Sequence, residues 1–499
     1  MKKTALRLVA LLFGAVLLIS TPMTASADEG YTYIYDWWGD IQYSPDAYEV
    51  AGVFTKDDLG LDTNLNNPSS MFVYKDEIYV CDSGNNRILV LKRDNADKIE
   101  CVKVIDQFYG DTDVKTFLNP TDIAVDDDGN LYIADNGNHR IVKFDKNLQY
   151  LLDFTRPVDA TFDQNTEYLP NKIVIDSAGR VFCIATNVNK GLIKYEADGT
   201  FSGFVGATPV TYDFMDYIWK RLATKAQREQ MVAFVPTEYA NVYMDRDGFV
   251  YATTTNVTEE EVDDGKADPI RKINMMGKDI LIRNGEWWPI GDIYWGNGGG
   301  YEGPSKLVDI TVMDNDVYVA LDRVRGKIFA YNSQGVMLFA FGGNGNQDGY
   351  FRMPASIEHM GYDLLVLDSV DNSITLFTPT VFGKMVYQAM DEFKRGEYEA
   401  SGETWKKVKS FDGNYDLAYI GIGRSLLRQE NYKDALTYFE LKWDDENYSR
   451  AFQQYRKVWV EENIGWIFAA VFLLLIVPLC IGKVKKIKHE IDIADIFRL

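Results

Sequence analysis

"NPTDIAVDDDGNLYIADNGNHRIVKFD", residues 119–145, restates what residues 67–92 have already spelled as "NPSSMFVYKDEIYVCDSGNNRILVLK". Pro68 corresponds to Pro120, Ile78-Tyr79 to Leu131-Tyr132, Asp82 to Asp135 and Arg87 to Arg140. A period of about 50 residues puts repeat architectures ahead of any single-unit fold. Weaker copies follow: "LPNKIVIDSAGRVFCIAT" from Leu169, "VPTEYANVYMDRDGFVYATT" from Val235, "PSKLVDITVMDNDVYVALD" from Pro304 and "MPASIEHMGYDLLVLDSVDNSITLF" from Met353. Each copy holds short apolar runs of alternating period, separated by D-G, D-N or N-G turn signals. One such unit cannot hide both faces of its sheet, whereas several arranged radially can.

These residues resemble the NHL repeat family. Its pattern, P-x-x-[IV]-x-[VI]-x-x-x-G-x-[IVL]-Y-[VI]-x-D-x-x-N-x-R-[IV], is nearly complete in the first two copies. It decays later, with Thr186 and Gly191 replacing the Asp and Arg in copy three. The resemblance covers roughly residues 48–378 and implies a mainly β chain built as a six-bladed β-propeller. The sixth copy has only three strands before Thr378-Pro379, and "YEVAGVF", residues 48–54, is an orphan strand ahead of the first. The simplest closure lets that N-terminal strand complete the last blade, which removes the open edges.

Both ends of the chain lie outside the repeats. Lys2, Lys3 and Arg7 precede an apolar run and then "TPMTASA", the pattern of a secretory signal peptide over residues 1–27; an uncleaved anchor helix is the rival reading. "IGWIFAAVFLLLIVPLCIG", residues 464–482, has 19 residues and no charge, about the length that crosses hydrocarbon. Glu461 and Glu462 precede it and "KVKKIK" follows, so residues 483–499 read as a cytoplasmic tail and the body as extracytoplasmic, on a single-pass cell-membrane anchor. The alternative is a buried helix of a soluble protein. Between residues 28–379, the propeller, and the span, residues 380–463 turn to helical period. Tyr398 with Tyr432, Ser401 with Ala435 and Trp405 with Phe439 share a 34-residue offset. This segment resembles a pair of tetratricopeptide repeats; a short helical stalk is the plainer alternative.

Residues 28–463 carry 44 basic and 71 acidic residues, a net charge of −27. Such a body repels phosphate backbones, so nucleic acid is excluded as a partner. Three of the four cysteines, Cys81, Cys101 and Cys183, fall in the body and outline no disulfide framework, while Cys480 is in the span.

Strands alternate direction within a blade. Loops joining strands two and three, and those joining one blade to the next, therefore share one face, called the front here. By that count three insertions fall on the front: "TYDFMDYIWKRLATKAQREQMVAF", helix-like and carrying Trp219; "NVTEEEVDDGKAD"; and "RNGEWWPIGDIYWGNGGGYEG". Loops on a rigid scaffold carry most recognition. Trp287, Trp288, Tyr294, Trp295 and Tyr301, with Trp219, are the expected ligand-binding residues, their flat rings suited to stacking on a sugar or ligand ring. Arg87 and Arg140 are further candidates at the rim, although a carboxylate and a guanidinium bracing a loop is the plainer role for Asp82–Arg87 and Asp135–Arg140. The chain leaves the sixth copy on the opposite, rear face, where Trp37 and Trp38 are expected to pack against the helices.

Catalytic signatures are sparse. The chain has three histidines, His139, His359 and His489, too few for a converging zinc site. No H-E-x-x-H or G-x-S-x-G motif occurs. No cofactor is expected, with calcium on acidic loops such as "DDDGN" left open; a tight turn at Asp126–Gly129 is the simpler reading. The expected function is a membrane-anchored binding or scaffold protein without catalysis of its own. Its propeller face would recognise a carbohydrate or protein ligand beside a membrane complex. Similar layouts look like accessory parts of sugar transport systems. The alternative is a cell-surface hydrolase or lyase using channel carboxylates and a divalent cation.

Overall fold

The computed structural model describes residues 31–36, 38–109, 114–188, 190–206, 239–293 and 303–496. The leader, Trp219, Tyr294, Trp295, Tyr301, Trp37 and the helix-like insertion lie outside them. The chain divides into two compact units, residues 1–384 and 385–499.

The first unit is a six-bladed β-propeller. Blade one is Ser70–Tyr74, Glu77–Asp82, Arg87–Arg93 and Ile99–Ile105, and blade two is Pro120–Val125, Leu131–Asp135, Arg140–Phe144 and Tyr150–Phe154. Blade three runs from Pro170–Ile175 to Phe201–Val205. Blade four has three regular strands, Asn241–Met244, Val250–Thr253 and Ile270–Ile273, with Asp279 bridging Ile273 where a fourth would begin. Blade five is Leu307–Val312, Tyr318–Asp322, Lys327–Tyr331 and Met337–Gly342. Blade six, Pro354–Met360, Asp363–Asp368 and Ser373–Pro379, is completed by Tyr48–Phe54, with Ile374 opposite Phe54 and Pro379 opposite Tyr48. The expected closure by the N-terminal strand is therefore present.

Each blade is sandwiched between two others, so its middle strands bury both faces. Every side chain of Leu131–Asp135, Val181–Ala185 and Tyr318–Asp322 is buried. The outer strand Ile99–Ile105 instead exposes most of its interior positions, because its outward edge meets water. Inter-blade clusters such as Met71, Ile78, Val80, Leu89, Leu365 and Leu367 weld blade six to blade one.

Two features differ from the sequence reading. In blade five, Leu307 pairs with Asp322 as Pro120 pairs with Asp135 and Pro354 with Asp368, so Leu307 holds the repeat's proline position and Pro304 precedes it. Secondly, Thr32–Tyr35 and Ile41–Ser44 form a hairpin that extends blade five to six strands, Tyr33 lying opposite Ala340. Trp38 is in the turn of that hairpin, 78% exposed, and does not pack as expected.

The second unit follows the helix Val381–Lys394 with helices Tyr398–Phe411, Asp416–Arg428, Tyr432–Leu441 and Asp445–Ile496. Tyr398 and Tyr432 each open a helix. Trp405 and Phe439 are buried against Gly421 and Gly423, where an added Cβ would lie 2.5 and 2.6 Å from the rings. The last helix has 52 residues. It is long and apolar enough to cross a membrane, and none of the side chains in its most apolar window is buried.

Candidate functional site: front rim and central channel

The front rim is organised by one recurring carboxylate. Asp82 accepts hydrogen bonds from Asn66 N (2.7 Å), Asn85 Nδ2 (2.8 Å) and Arg87 Nε (2.7 Å). Asp135 accepts them from Leu118 N (2.8 Å), Asn138 Nδ2 (2.8 Å) and Arg140 Nε (2.9 Å). Asp322 takes Lys306 N and Val324 N, and Asp368 takes Arg352 N, Met353 N, Val370 N and Asp371 N. All four carboxylates are at most 2% exposed. Each fastens the connection entering its blade to the loop between strands two and three. Arg87 also donates to Thr63 O, and Arg140 to Asp153 and Thr116 O. Both guanidiniums thus have bracing bonds. Burial pushes the Asp135 carboxyl up from its ordinary value against the pull of Leu118 N, Asn138 and Arg140.

Blades three and four lack this brace. Thr254 stands at the position in blade four, its backbone nitrogen bonded to Pro269 O. In blade three the position belongs to Ala185 rather than to Thr186 as the sequence alignment implied, since Pro170 pairs with Ala185 as Pro120 pairs with Asp135. Thr186 N, one residue on, donates to Leu169 O. The front loop of blade four instead carries a short helix, Glu259–Asp263, capped by Thr258 with a reciprocal bond to Glu261.

The tryptophan-bearing excursion starts on the outer flank. Asn284 N donates to Gln334 O, and an added Cβ on Gly285 would lie 2.6 Å from Gly335 O. Gln334 and Gly335 belong to the turn between strands three and four of blade five, which is on the rear face, so this stretch does not begin on the front as the loop count implied. The Trp287 indole donates to Asp36 O at 2.8 Å, and its ring fills the space beside Gly39 in the N-terminal hairpin. Gly39 has φ +83°, a conformation that a side chain resists. Trp288 is 38% exposed and lies against Gly265 of the blade-four loop. Of the expected aromatic set, the described residues thus include one hairpin clamp, Trp287, and one half-exposed ring, Trp288.

Beyond the tryptophans the excursion enters a buried ionic cluster. Asp292 accepts from the Tyr35 hydroxyl and from Lys327 Nζ (3.2 Å), with Arg325 Nε at 3.5 Å. Lys327 also donates to the Tyr33 hydroxyl at 3.0 Å, and Arg325 to Gly303 O at 2.6 Å. The two tyrosines pin the hairpin to blade five.

The innermost strands contribute a ring that sequence reasoning missed. Ser70, Asp122, Lys172, Asn241, Asp309 and Ser356 occupy equivalent positions, one per blade, and all are buried. Ser70 Oγ donates to Asp122 at 2.5 Å, Asp122 accepts from Ile173 N at 2.7 Å, and Lys172 Nζ is 3.5 Å from Asp122. Asp309 accepts from Asn241 Nδ2 and from Ile357 N (2.8 Å), and Ser356 Oγ accepts from Met71 N (3.1 Å). Most links reach the next blade, so the ring is a polar belt around the channel. Burial works against the Lys172 ammonium, yet Asp122 and Asp309 hold it above its ordinary value. Burial raises Asp309 to about 6 despite Lys172. The signal available in sequence was position alone: two residues after the repeat proline in Pro68, Pro120, Pro170 and Pro354.

Behind the belt the channel wall is uneven. Blades one to three present Phe72, Ala124 and Val174, while blades four to six present Tyr243, Thr311 and Glu358. Thr311 Oγ1 lies 3.2 Å from Glu358 Oε2 and 2.7 Å from His359 Nδ1. Burial raises Glu358 well above the carboxylate range, with Asp309 adding to it, and lowers His359 to about 4. The Glu358 carboxyl, the Thr311 hydroxyl and the His359 imidazole therefore stand in one hydrogen-bonded file.

Among the described residues no group of three His, Cys, Asp or Glu side chains converges to hold a metal. In "DDDGN", Asp126 accepts from Asp128 N, Asn130 N, Asn130 Nδ2 and the Tyr132 hydroxyl, the bonds of a turn. Asp94, Asp145, Asp176 and Asp245 cap rear turns in the same way. Cys81, Cys101, Cys183 and Cys480 are free thiols.

In comparison with known protein families, residues 117–144 match the NHL repeat. No curated protein matches the chain. Among solved structures, the fold is similar to virginiamycin B lyase from Staphylococcus aureus, at 12% identity and TM-score 0.38, covering 66% of this chain and 99% of that one. A streptogramin B lyase structure is similar at 14% identity and TM-score 0.40, over 67% and 100% of the two chains. A protein of unknown function from Bacteroides thetaiotaomicron is similar at 10% identity and TM-score 0.41, over 70% and 77%.

Proposed function

We propose that this chain is a membrane-tethered binding protein whose propeller recognises a carbohydrate or protein ligand and catalyses nothing itself. The observation that carries the reading is the last helix: it contains a 19-residue uncharged run, and none of the side chains in its most apolar window is buried. In water such a surface is unstable, and hydrocarbon satisfies it. The leader and the lysines after the run orient the body to the extracytoplasmic side and the tail to the cytoplasm. The paired helices ahead of the span, tetratricopeptide-like in offset and packing, dock a membrane complex, with sugar transport systems the class to test first. Ligand recognition falls to the front loops and to Trp288, the half-exposed ring. Channel carboxylates support the binding reading over the hydrolase or lyase one, since Asp122 and Asp309 are engaged in blade-to-blade bonds.

Two measurements test this. The full chain should stay with membranes through an alkaline carbonate wash, and removal of residues 464–499 should release it; a wild-type chain that washes off refutes the tether. On a glycan array, Trp288→Ala should abolish any hit without changing the melting temperature, whereas Trp287→Ala should also destabilise the hairpin. Hydrolysis or elimination by the purified chain, dependent on a bound divalent cation, would favour the enzymatic alternative.

A further inference from the structure

Resting on the tether reading and deepening it, we propose that Lys483, Lys485, Lys486 and Lys488 form a collar that binds anionic phospholipid headgroups. The last helix does not stop where the uncharged run ends; it continues unbroken to Ile496. The lysines are therefore held on a rigid rod rather than on a loose tail. From Lys483 to Lys488 the rise is about 7.5 Å at 1.5 Å per residue. A headgroup layer is roughly 5–8 Å deep, half the difference between the full bilayer and its hydrocarbon core. The collar thus spans one headgroup layer, directly after a 19-residue run that spans the core.

Direction around the axis decides the kind of partner. At 3.6 residues per turn the four positions point to four different sides of the helix. A protein partner covers one side, and lipids surround a lone span on all of them. The four side chains are exposed, and none forms an ion pair among the described residues, although Lys172, Lys272, Lys327 and Lys442 elsewhere do. Charge complementarity then selects the ligand: phosphate-bearing headgroups with net negative charge. Glu461 and Glu462 stand at the other end of the run, so the helix distinguishes its two leaflets by charge.

The native Cys480 offers the probe, three residues ahead of the collar. Cys81 and Cys183 are buried, and Cys101→Ser removes the remaining half-buried thiol. The full chain, labelled at Cys480 and incorporated into mixed phosphatidylcholine and phosphatidylglycerol vesicles, is read by energy transfer from each headgroup-labelled lipid. Transfer from phosphatidylglycerol should exceed that from phosphatidylcholine by about fivefold, the worth of one lysine near the surface. The excess should shrink in high salt. Lys→Gln at all four positions should remove it and Lys→Arg should keep it. Equal transfer from the two lipids by a chain that floats with the vesicles overturns the collar and leaves the tether standing. A chain that does not float overturns both.

Discussion

Blades two and four answer the same architectural demand with different residues. Blade two keeps the whole repeat signature, and its Asp135 collects Leu118 N, Asn138 and Arg140 into one buried knot. Blade four has Thr254 there, three regular strands and a helix in its front loop. Yet Val250–Thr253 is as buried as Leu131–Asp135, and both blades contribute to inter-blade cores. The sheets thus come from the apolar pattern, while the signature Asp and Arg brace the rim. In blade four, where the brace is absent, the front loop is longer and carries its own helix.

The largest expected effect breaks blade two. Asp135→Ala would leave Leu118 N and Asn138 Nδ2 without this buried acceptor and the Arg140 guanidinium, only 13% exposed, with Asp153 and Thr116 O alone. A loss of about 3–5 kcal/mol is expected in denaturant unfolding. A cost near that of a surface change would deny the brace its role. Next comes the polar side of the channel, blades four to six. His359 is held near 4, about 2.5 units below the ordinary histidine value. The unfolded chain therefore binds a proton between pH 6.5 and 4 that the folded chain refuses, and stability falls as pH drops through that window. Asp309, raised to about 6, and Glu358 act in the opposite sense, keeping protons that the unfolded chain releases. His359→Gln should remove the histidine's share alone. Its stability relative to wild type should rise by roughly 3 kcal/mol between pH 7 and pH 4, and a pH-independent difference would refute the assignment.

Smaller still is Tyr35→Phe, which removes one hydroxyl from Asp292 in the excursion ahead of blade five. About 1–2 kcal/mol and faster proteolysis within residues 31–47 are expected; an unchanged digestion pattern would mean the hairpin is held otherwise. The least effect sharpens the contrast from the other side. Thr186→Ala, at the unbraced rim of blade three, should cost about 0.5 kcal/mol or less, read from the same unfolding curves. Parity with Asp135→Ala would erase the distinction between the two kinds of blade.

Much of this was legible because repetition is a strong signal. Asp82, Asp135, Arg87 and Arg140 recur at fixed spacing, and the alternating "YEVAGVF" had no partner except the unfinished sixth copy. The polar belt was not legible, since Ser70, Asp122, Lys172, Asn241, Asp309 and Ser356 share a position and no chemistry. Geometry joins them; composition does not. The hairpin at Thr32–Tyr35 was open to reading, because Tyr31, Tyr33 and Tyr35 alternate before a turn, yet its attachment to blade five depends on Asp292 and Lys327, far away in sequence. The excursion's path was hidden for a related reason. Loop counting finds the face a connection ends on, and Asn284 shows that the route there can pass the other rim.

Phe54 and Ile374, at opposite ends of the first unit's sequence, seal the circle. During synthesis five blades can assemble in order while the sixth waits for its last three strands. A chain cut short before Ser373 would leave both lips of the ring unzipped. A break in the backbone between Ser44 and Tyr48 would sever the hairpin from the seal and leave the seal itself intact, so a chain nicked there would keep the same ring.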